Sequence, residues 1–163
     1  MRNLFIEDKK SGLIWLWLSL LIFVIDQLSK YYISAHFQLH EVKQVLPFFN
    51  LTLAYNTGAA FSFLSDAGGW QRWAFAVISI AISTLLVAWL SRTSRHHYGV
   101  AISFALILGG ALGNLYDRVV FGHVVDFLDV SMNDWHWPAF NIADSAITIG
   151  AVVLIIRTLV VRE

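Results

Sequence analysis

The chain has 163 residues, of which 58% are hydrophobic and only 13% charged, and its 11 basic and 11 acidic residues cancel to zero formal charge. A soluble domain carries about a quarter charged residues, so this composition, with a mean hydropathy of +0.65, describes a membrane protein. The lack of a basic block argues against nucleic acid as a partner, and the lack of cysteine excludes disulfides, thiolate metal sites and a cysteine nucleophile.

The N-terminal segment places Arg2, Lys9 and Lys10 ahead of a long apolar run. That run is too long for a secretory leader, has no Ala-x-Ala cleavage site and is followed by further apolar stretches, so it reads as a retained first helix. Four stretches reach the roughly 20 residues that cross a hydrocarbon core: Leu13–Ile33, Trp73–Leu90, Tyr98–Tyr116 and Ile142–Val161. The expected fold is an all-α membrane protein, one integral membrane domain of four transmembrane helices. A small outward-facing β-hairpin is expected over residues 42–66, and residues 117–141 form the second long connection.

Charge sets the orientation. Arg2, Lys9, Lys10, Arg92, Arg95, Arg157 and Arg162 fall on one side of the four spans, and Lys43 and Arg72 on the other. By the positive-inside rule both termini are cytoplasmic and the two long connections face outward. Asp26, Lys30, Asn114, Arg118, Asp126, Asn141 and Asp144 then all fall at the outer end of the bundle, which points to one polar site near the outer membrane–water boundary. An ionisable group at a membrane segment is costly and reads first as functional.

In the first outer connection, Asn50-Leu-Thr-Leu-Ala-Tyr55 alternates like a half-buried strand, Asn56-Thr-Gly58 signals a turn, and Ala59–Leu64 follows as the second strand of a hairpin. Trp70, Trp73, Trp135 and Trp137 suit an interfacial aromatic belt.

Several candidates carry two readings. Asp26 and Lys30, four apart on one helix face, are either an ion pair with Lys30 reaching toward the interface, or an inward brace for the site. Gly109, Gly110 and Gly113 allow close helix packing. Arg118 either anchors to lipid phosphate or joins the site. Asn141 and Asp144 have the spacing of a capping box at the start of the fourth helix. Asp126 has no such structural role to play: it stands in an apolar Val-Val-Asp-Phe run, read here as loop. Two carboxylates that share one proton are the requirement of an aspartic protease. No His-Glu-x-x-His or Gly-x-Ser-x-Gly pattern supports zinc or serine chemistry. A proton-coupled transporter is the rival reading of acids at a membrane segment, and it calls for polar residues through the whole membrane depth.

Five blocks in order, Asp26-Gln-Leu-Ser-Lys30, Asn56-Thr-Gly-Ala-Ala-Phe-Ser62, Gly109-Gly-Ala-Leu-Gly-Asn114 with Asp117-Arg118, Val125-Asp-Phe127 and Phe140-Asn-Ile-Ala-Asp144, give the chain a resemblance to the lipoprotein signal peptidases, the type II signal peptidases of bacteria. The resemblance implies an inner-membrane aspartic endopeptidase that removes the signal peptide of prolipoproteins carrying diacylglycerol on the lipobox cysteine, cutting just before that cysteine. It implies Asp126 and Asp144 as the catalytic pair. Asp26, Lys30, Asn56, Gly58, Asn114, Arg118 and Asn141 fall at lining or supporting positions. It also implies an outward-facing β-cradle at the hairpin, a loop over the site at 117–141, and inhibition by the cyclic peptide globomycin; the expected aspartate mechanism needs no metal or cofactor, and membrane lipids are expected partners. One site per four-helix chain makes a monomer sufficient.

Overall fold

A computed structural model describes residues 11–58, 68–132 and 135–160. Arg2, Lys9, Lys10, Arg162 and the second hairpin strand expected at Ala59–Leu64 lie outside the described residues.

Among the described residues, four helices are long and apolar enough to cross a membrane: Gly12–His36, Trp70–Arg92, Tyr98–Val120 and Ile142–Val160. The first is a 3-10 turn, Gly12–Trp15, running into α1, Leu16–His36; α2, α3 and α4 are the other three. Ser11 starts the first by accepting a hydrogen bond from Leu13 N at 3.2 Å. Gly122, at φ +84°, ends α3 in the left-handed conformation that an L side chain resists.

α3 is the hub. It packs against α1, α2 and α4, and its glycines set how close those neighbours come. A Cβ on Gly110 would overlap the carbonyl oxygen of Ala143 in α4, and one on Gly113 would stand 2.5 Å from Asp26 Oδ2 in α1. The close packing read from these glycines is what the helices do. The outward faces of α1, α2 and α4 carry exposed Leu20, Leu28, Val77 and Leu159, which suits hydrocarbon and not water.

At one end of the bundle lies a four-stranded antiparallel sheet in the order β1-β2-β3-β4, with β1 Val42–Leu46, β2 Phe49–Asn56, β3 Val124–Met132 and β4 Trp135–His136. β2 matches the strand expected from alternation, but its described partners are β1, across the Pro47-Phe48 turn, and β3. The segment around Asp126 is therefore a strand and not a loop. Its apolar residues are buried on both faces, which hides the period-two signature of a half-exposed strand. Leu53, Val125 and Phe127 join Ile33 of α1 in a small core that fixes the sheet to the bundle. α3 also runs one turn beyond Tyr116, which places Arg118 inside the helix.

Candidate active site

The site forms where β3, the outer end of α3 and the first turn of α4 meet. Asp126 on β3 is only 3% exposed. Asp144 is three residues beyond Asn141, the residue that precedes α4. Both carboxylates line one cavity of about 590 Å³, together with Asn56, Asn114 and Arg118.

Asn141 and Asp144 do form a reciprocal cap. Asp144 N donates to Asn141 Oδ1 at 2.9 Å, and Asn141 N donates to Asp144 Oδ2 at 3.3 Å. The same Asn141 turns its amide nitrogen outward from the helix and donates to Asp126 Oδ1 at 2.7 Å. Capping and site assembly are thus one arrangement: the cap that starts α4 also ties its acid to the acid of β3. Asn114 completes the frame, donating to Asp144 Oδ1 at 2.8 Å. The second oxygen of Asp126 accepts from Asn56 Nδ2 at 3.1 Å, and Asn56 Oδ1 accepts from Gly58 N at 2.9 Å. Arg118 does not extend toward lipid. It donates to Gly58 O at 3.0 Å and Asn114 O at 3.3 Å, with its guanidinium 5.4 Å from the Phe75 ring centre.

A buried charge cluster supports Asn114 from below. Lys30 is 3% exposed, so it does not reach for the interface. Its three N–H groups are matched by three acceptors: Asp26 Oδ2 at 2.8 Å, Asp117 Oδ2 at 2.8 Å and Asn114 Oδ1 at 3.0 Å. Asp26 Oδ1 in turn accepts from Ala143 N at 2.9 Å, which holds the first turn of α4. Gln27 Nε2 bridges Asp26 Oδ2 at 3.1 Å and Asp117 Oδ1 at 2.9 Å. A buried charge is tolerable only when paired and hydrogen-bonded in this way. Asp117 and Gln27 were not singled out from sequence as site residues. The available signal was the Asp117 position, three after Asn114 and hence on its helix face.

Burial pushes the Asp126 carboxyl up to about 7, and the neighbouring Asp144 charge adds to the effect, while hydrogen bonds from Asn56 and Asn141 and the charge of Lys30 oppose it. The arrangement therefore keeps a proton on Asp126 near neutrality and puts a second carboxylate in the same cavity. That combination can activate a water with one oxygen and donate a proton with another.

Of the residues expected from sequence, Asp126, Asp144, Asn56, Asn114 and Arg118 share the cavity. Asn141 bonds both acids, Gly58 sits at the site's edge bonded to Asn56 and Arg118, and Asp26 and Lys30 lie one layer deeper. His123 packs on Tyr55 with ring centres 4.0 Å apart, and His136 is bonded to Asp129 at 2.9 Å, away from the two acids.

The sequence profile of the signal peptidase (SPase) II family matches residues 18–160. The chain belongs to the signal peptidase II family. Like the rest of that family it is an aspartic endopeptidase. It is 60% identical to the lipoprotein signal peptidase of Pseudomonas fluorescens strain Pf0-1 over 142 residues, 86% of this chain and 84% of the relative. It is 53% identical to that of Pseudoalteromonas atlantica over 156 residues, 96% and 93% of the two chains. Its fold is similar to a bacterial membrane enzyme solved by the in meso method at 2.3 Å resolution, with a TM-score of 0.81 and 34% identity over 90% of this chain and 87% of that one. A second such structure, at 1.9 Å, gives a TM-score of 0.78 at 34% identity over 90% and 92% of the two chains. The sheet-capped four-helix architecture of this signal peptidase II is that of these membrane enzymes.

Proposed function

We propose that this signal peptidase II removes the signal peptide from prolipoproteins carrying a diacylglyceryl-modified cysteine, cutting just before that cysteine with a water activated by Asp126 and Asp144. The observation that carries this reading is the shared cavity of the two acids, framed by Asn141 and Asn114. Asp126, whose proton is held to about 7, is the acid, and Asp144 is the base. Asp144 takes a proton from the water as its oxygen bonds to the scissile carbonyl carbon. Asp126 donates its proton to the developing oxyanion. As the intermediate collapses, the C–N bond breaks, the proton on Asp144 passes to the leaving amine, and the hydroxyl proton returns to Asp126. No metal or cofactor takes part.

The other residues hold this geometry. Asn56, Asn114 and Asn141 orient the carboxylates. Asp26 and Lys30 brace the start of α4 and Asn114, and Arg118 with Gly58 ties the end of β2 to α3. The protein is a single integral domain of the bacterial inner membrane, a monomer with both termini cytoplasmic and the site at the outer face. There the acyl chains of the substrate remain among membrane lipids while the peptide bond enters the cavity. Globomycin, a cyclic peptide, competes for the same cavity.

The test uses purified protein in lipid with a diacylated prolipoprotein and its unlipidated precursor. Cleavage of the lipidated form alone, lost by roughly 10²–10⁴-fold or more in Asp126→Asn and in Asp144→Asn while both stay folded, is the expected result. Substantial activity in either variant refutes the dyad. Equal cleavage of both substrates refutes the lipid requirement.

A further inference from the structure

One buried carboxylate outside the dyad has no part in the chemistry above. Asp129 on β3 is 5% exposed and makes no ion pair with a lysine or arginine among the described residues. Burying a carboxylate is costly unless its oxygens are bonded, and here they are. Asn50 Nδ2 on β2 donates to Asp129 Oδ2 at 2.7 Å, and also to Ser131 Oγ at 3.1 Å. His136 Nδ1 lies 2.9 Å from both Asp129 Oδ1 and Oδ2, so Nδ1 carries the proton and donates. The His136 side chain is 53% exposed, which leaves its other nitrogen free of this contact.

His136 begins a strap. From Trp135 to Phe140 the chain runs antiparallel along the edge of β3, with Ser131 opposite His136 and Met132 opposite Trp135. Trp137 N donates to Val130 O at 2.8 Å, and Phe140 N donates to Leu128 O at 3.0 Å. Between them Pro138 has no N–H to give. The regular pairing of β4 covers only two residues, and beyond it the strap is tied to β3 at Trp137 and at Phe140, where Leu128 N and Phe127 N also donate to Phe140 O. The next four residues, Trp137 to Phe140, line the cavity that holds Asp126 and Asp144. The side-chain bond from His136 to Asp129 adds an attachment at the point where the strap begins to form cavity wall.

We infer that His136 and Asp129 form a clasp that positions the Trp137–Phe140 wall, and that this wall sets the fit of the substrate segment beside the cut bond. His136 is a positioning residue in this account; it reaches neither acid of the dyad. The inference rests on the reading of the cavity as the peptide-binding site.

Two variants separate the bond from the bulk of the ring. His136→Phe keeps a ring and removes the donor, whereas His136→Asn keeps a donor near the place of Nδ1. With the lipidated substrate, the Phe variant is expected to raise KM about five- to tenfold, the net worth of one ordinary hydrogen bond, with kcat within about twofold. The Asn variant is expected to stay near wild type. Hydrogen exchange supplies a readout free of activity: the Trp137 and Phe140 amides should exchange about tenfold faster in the Phe variant and not in the Asn variant. Unchanged KM and exchange in the Phe variant overturn the clasp, as does an Asn variant that behaves like Phe, or a fall in kcat at constant KM. If the Phe variant does not fold, Asp129→Asn, which keeps the shape and removes the charge, must show the same two changes in smaller measure, and their absence overturns the clasp. A wild type that cuts no lipidated substrate refutes the catalytic reading instead, and the exchange comparison still decides whether the clasp holds the strap.

Discussion

Asn141 shows how much one side chain does at this site. Its oxygen caps α4 and its nitrogen bonds Asp126, so Asn141→Ala loses both a helix cap and a carboxylate contact. The proton on Asp126 gives a prediction with a definite sign. In the unfolded chain an aspartate releases its proton near about pH 4. In the native state Asp126 keeps it to about 7. Between those values the native state binds more protons than the unfolded one, so this residue's contribution to stability falls as pH rises through that window and levels off above it. Thermal unfolding followed at pH 5, 6 and 7.5 should show the wild-type midpoint falling more than that of Asp126→Asn. In cleavage assays kcat/KM should decline on an alkaline limb with an apparent value near 7, a property of the coupled pair. A rate that stays flat to high pH removes Asp126 as the proton donor.

At the scale of elements, the Lys30 cluster joins α1 to α3 and α4. Lys30→Met removes the cation shared by Asp26 and Asp117 and leaves two buried carboxylates facing each other, with an expected loss of about 3–5 kcal/mol in unfolding free energy. Adding Asp26→Asn and Asp117→Asn to that variant should recover part of the loss, which a denaturation series in one detergent can measure. The helix contacts have a similar sensitivity. Gly110→Ala sets a methyl against the Ala143 carbonyl, one residue before Asp144. An overpacked core site costs about 1–3 kcal/mol, and here the shift also moves the first turn of α4. Gly110→Ala should therefore lower kcat as well as stability. An Ala substitution that lowers stability and leaves kcat at the wild-type value would mean that α4 relaxes without carrying Asp144 along.

The whole molecule divides into a greasy shaft and a polar head. Of the four apolar helices among the described residues, α1, α2 and α4 turn most of their surface outward, while α3 is the most buried and exposes large side chains mainly at its ends. All the site residues gather at the sheet end, where the ends of four separate chain segments meet. The proposed orientation can be tested directly, because the chain has no native cysteine. A cysteine at exposed Gln44 in β1 should react with an impermeant maleimide added to intact spheroplasts. One at Arg95, between α2 and α3, should react only after permeabilisation. The opposite pattern reverses the topology and places the site on the cytoplasmic face.

Sequence by itself determined the membrane environment, the four helices and the end of the bundle where the polar residues gather. Long apolar runs have one stable solution in a bilayer, a backbone satisfied within each helix. Asp126 and Asp144 were legible for the same reason, as acids whose cost in apolar surroundings needs an explanation, and the five spaced motifs named their family. Tertiary structure decided what depends on contact between distant segments. β3 reads as loop until β2 and the Trp135–Phe140 strap pair with its two edges. Lys30 reads as an interfacial lysine until α3 brings Asp117 and Asn114 to its three N–H groups. His136 finds Asp129 only through strand register, which no spacing along the chain reveals. Helical periodicity is local and survives in a single sequence, whereas strand pairing and buried charge networks exist only after the segments have come together.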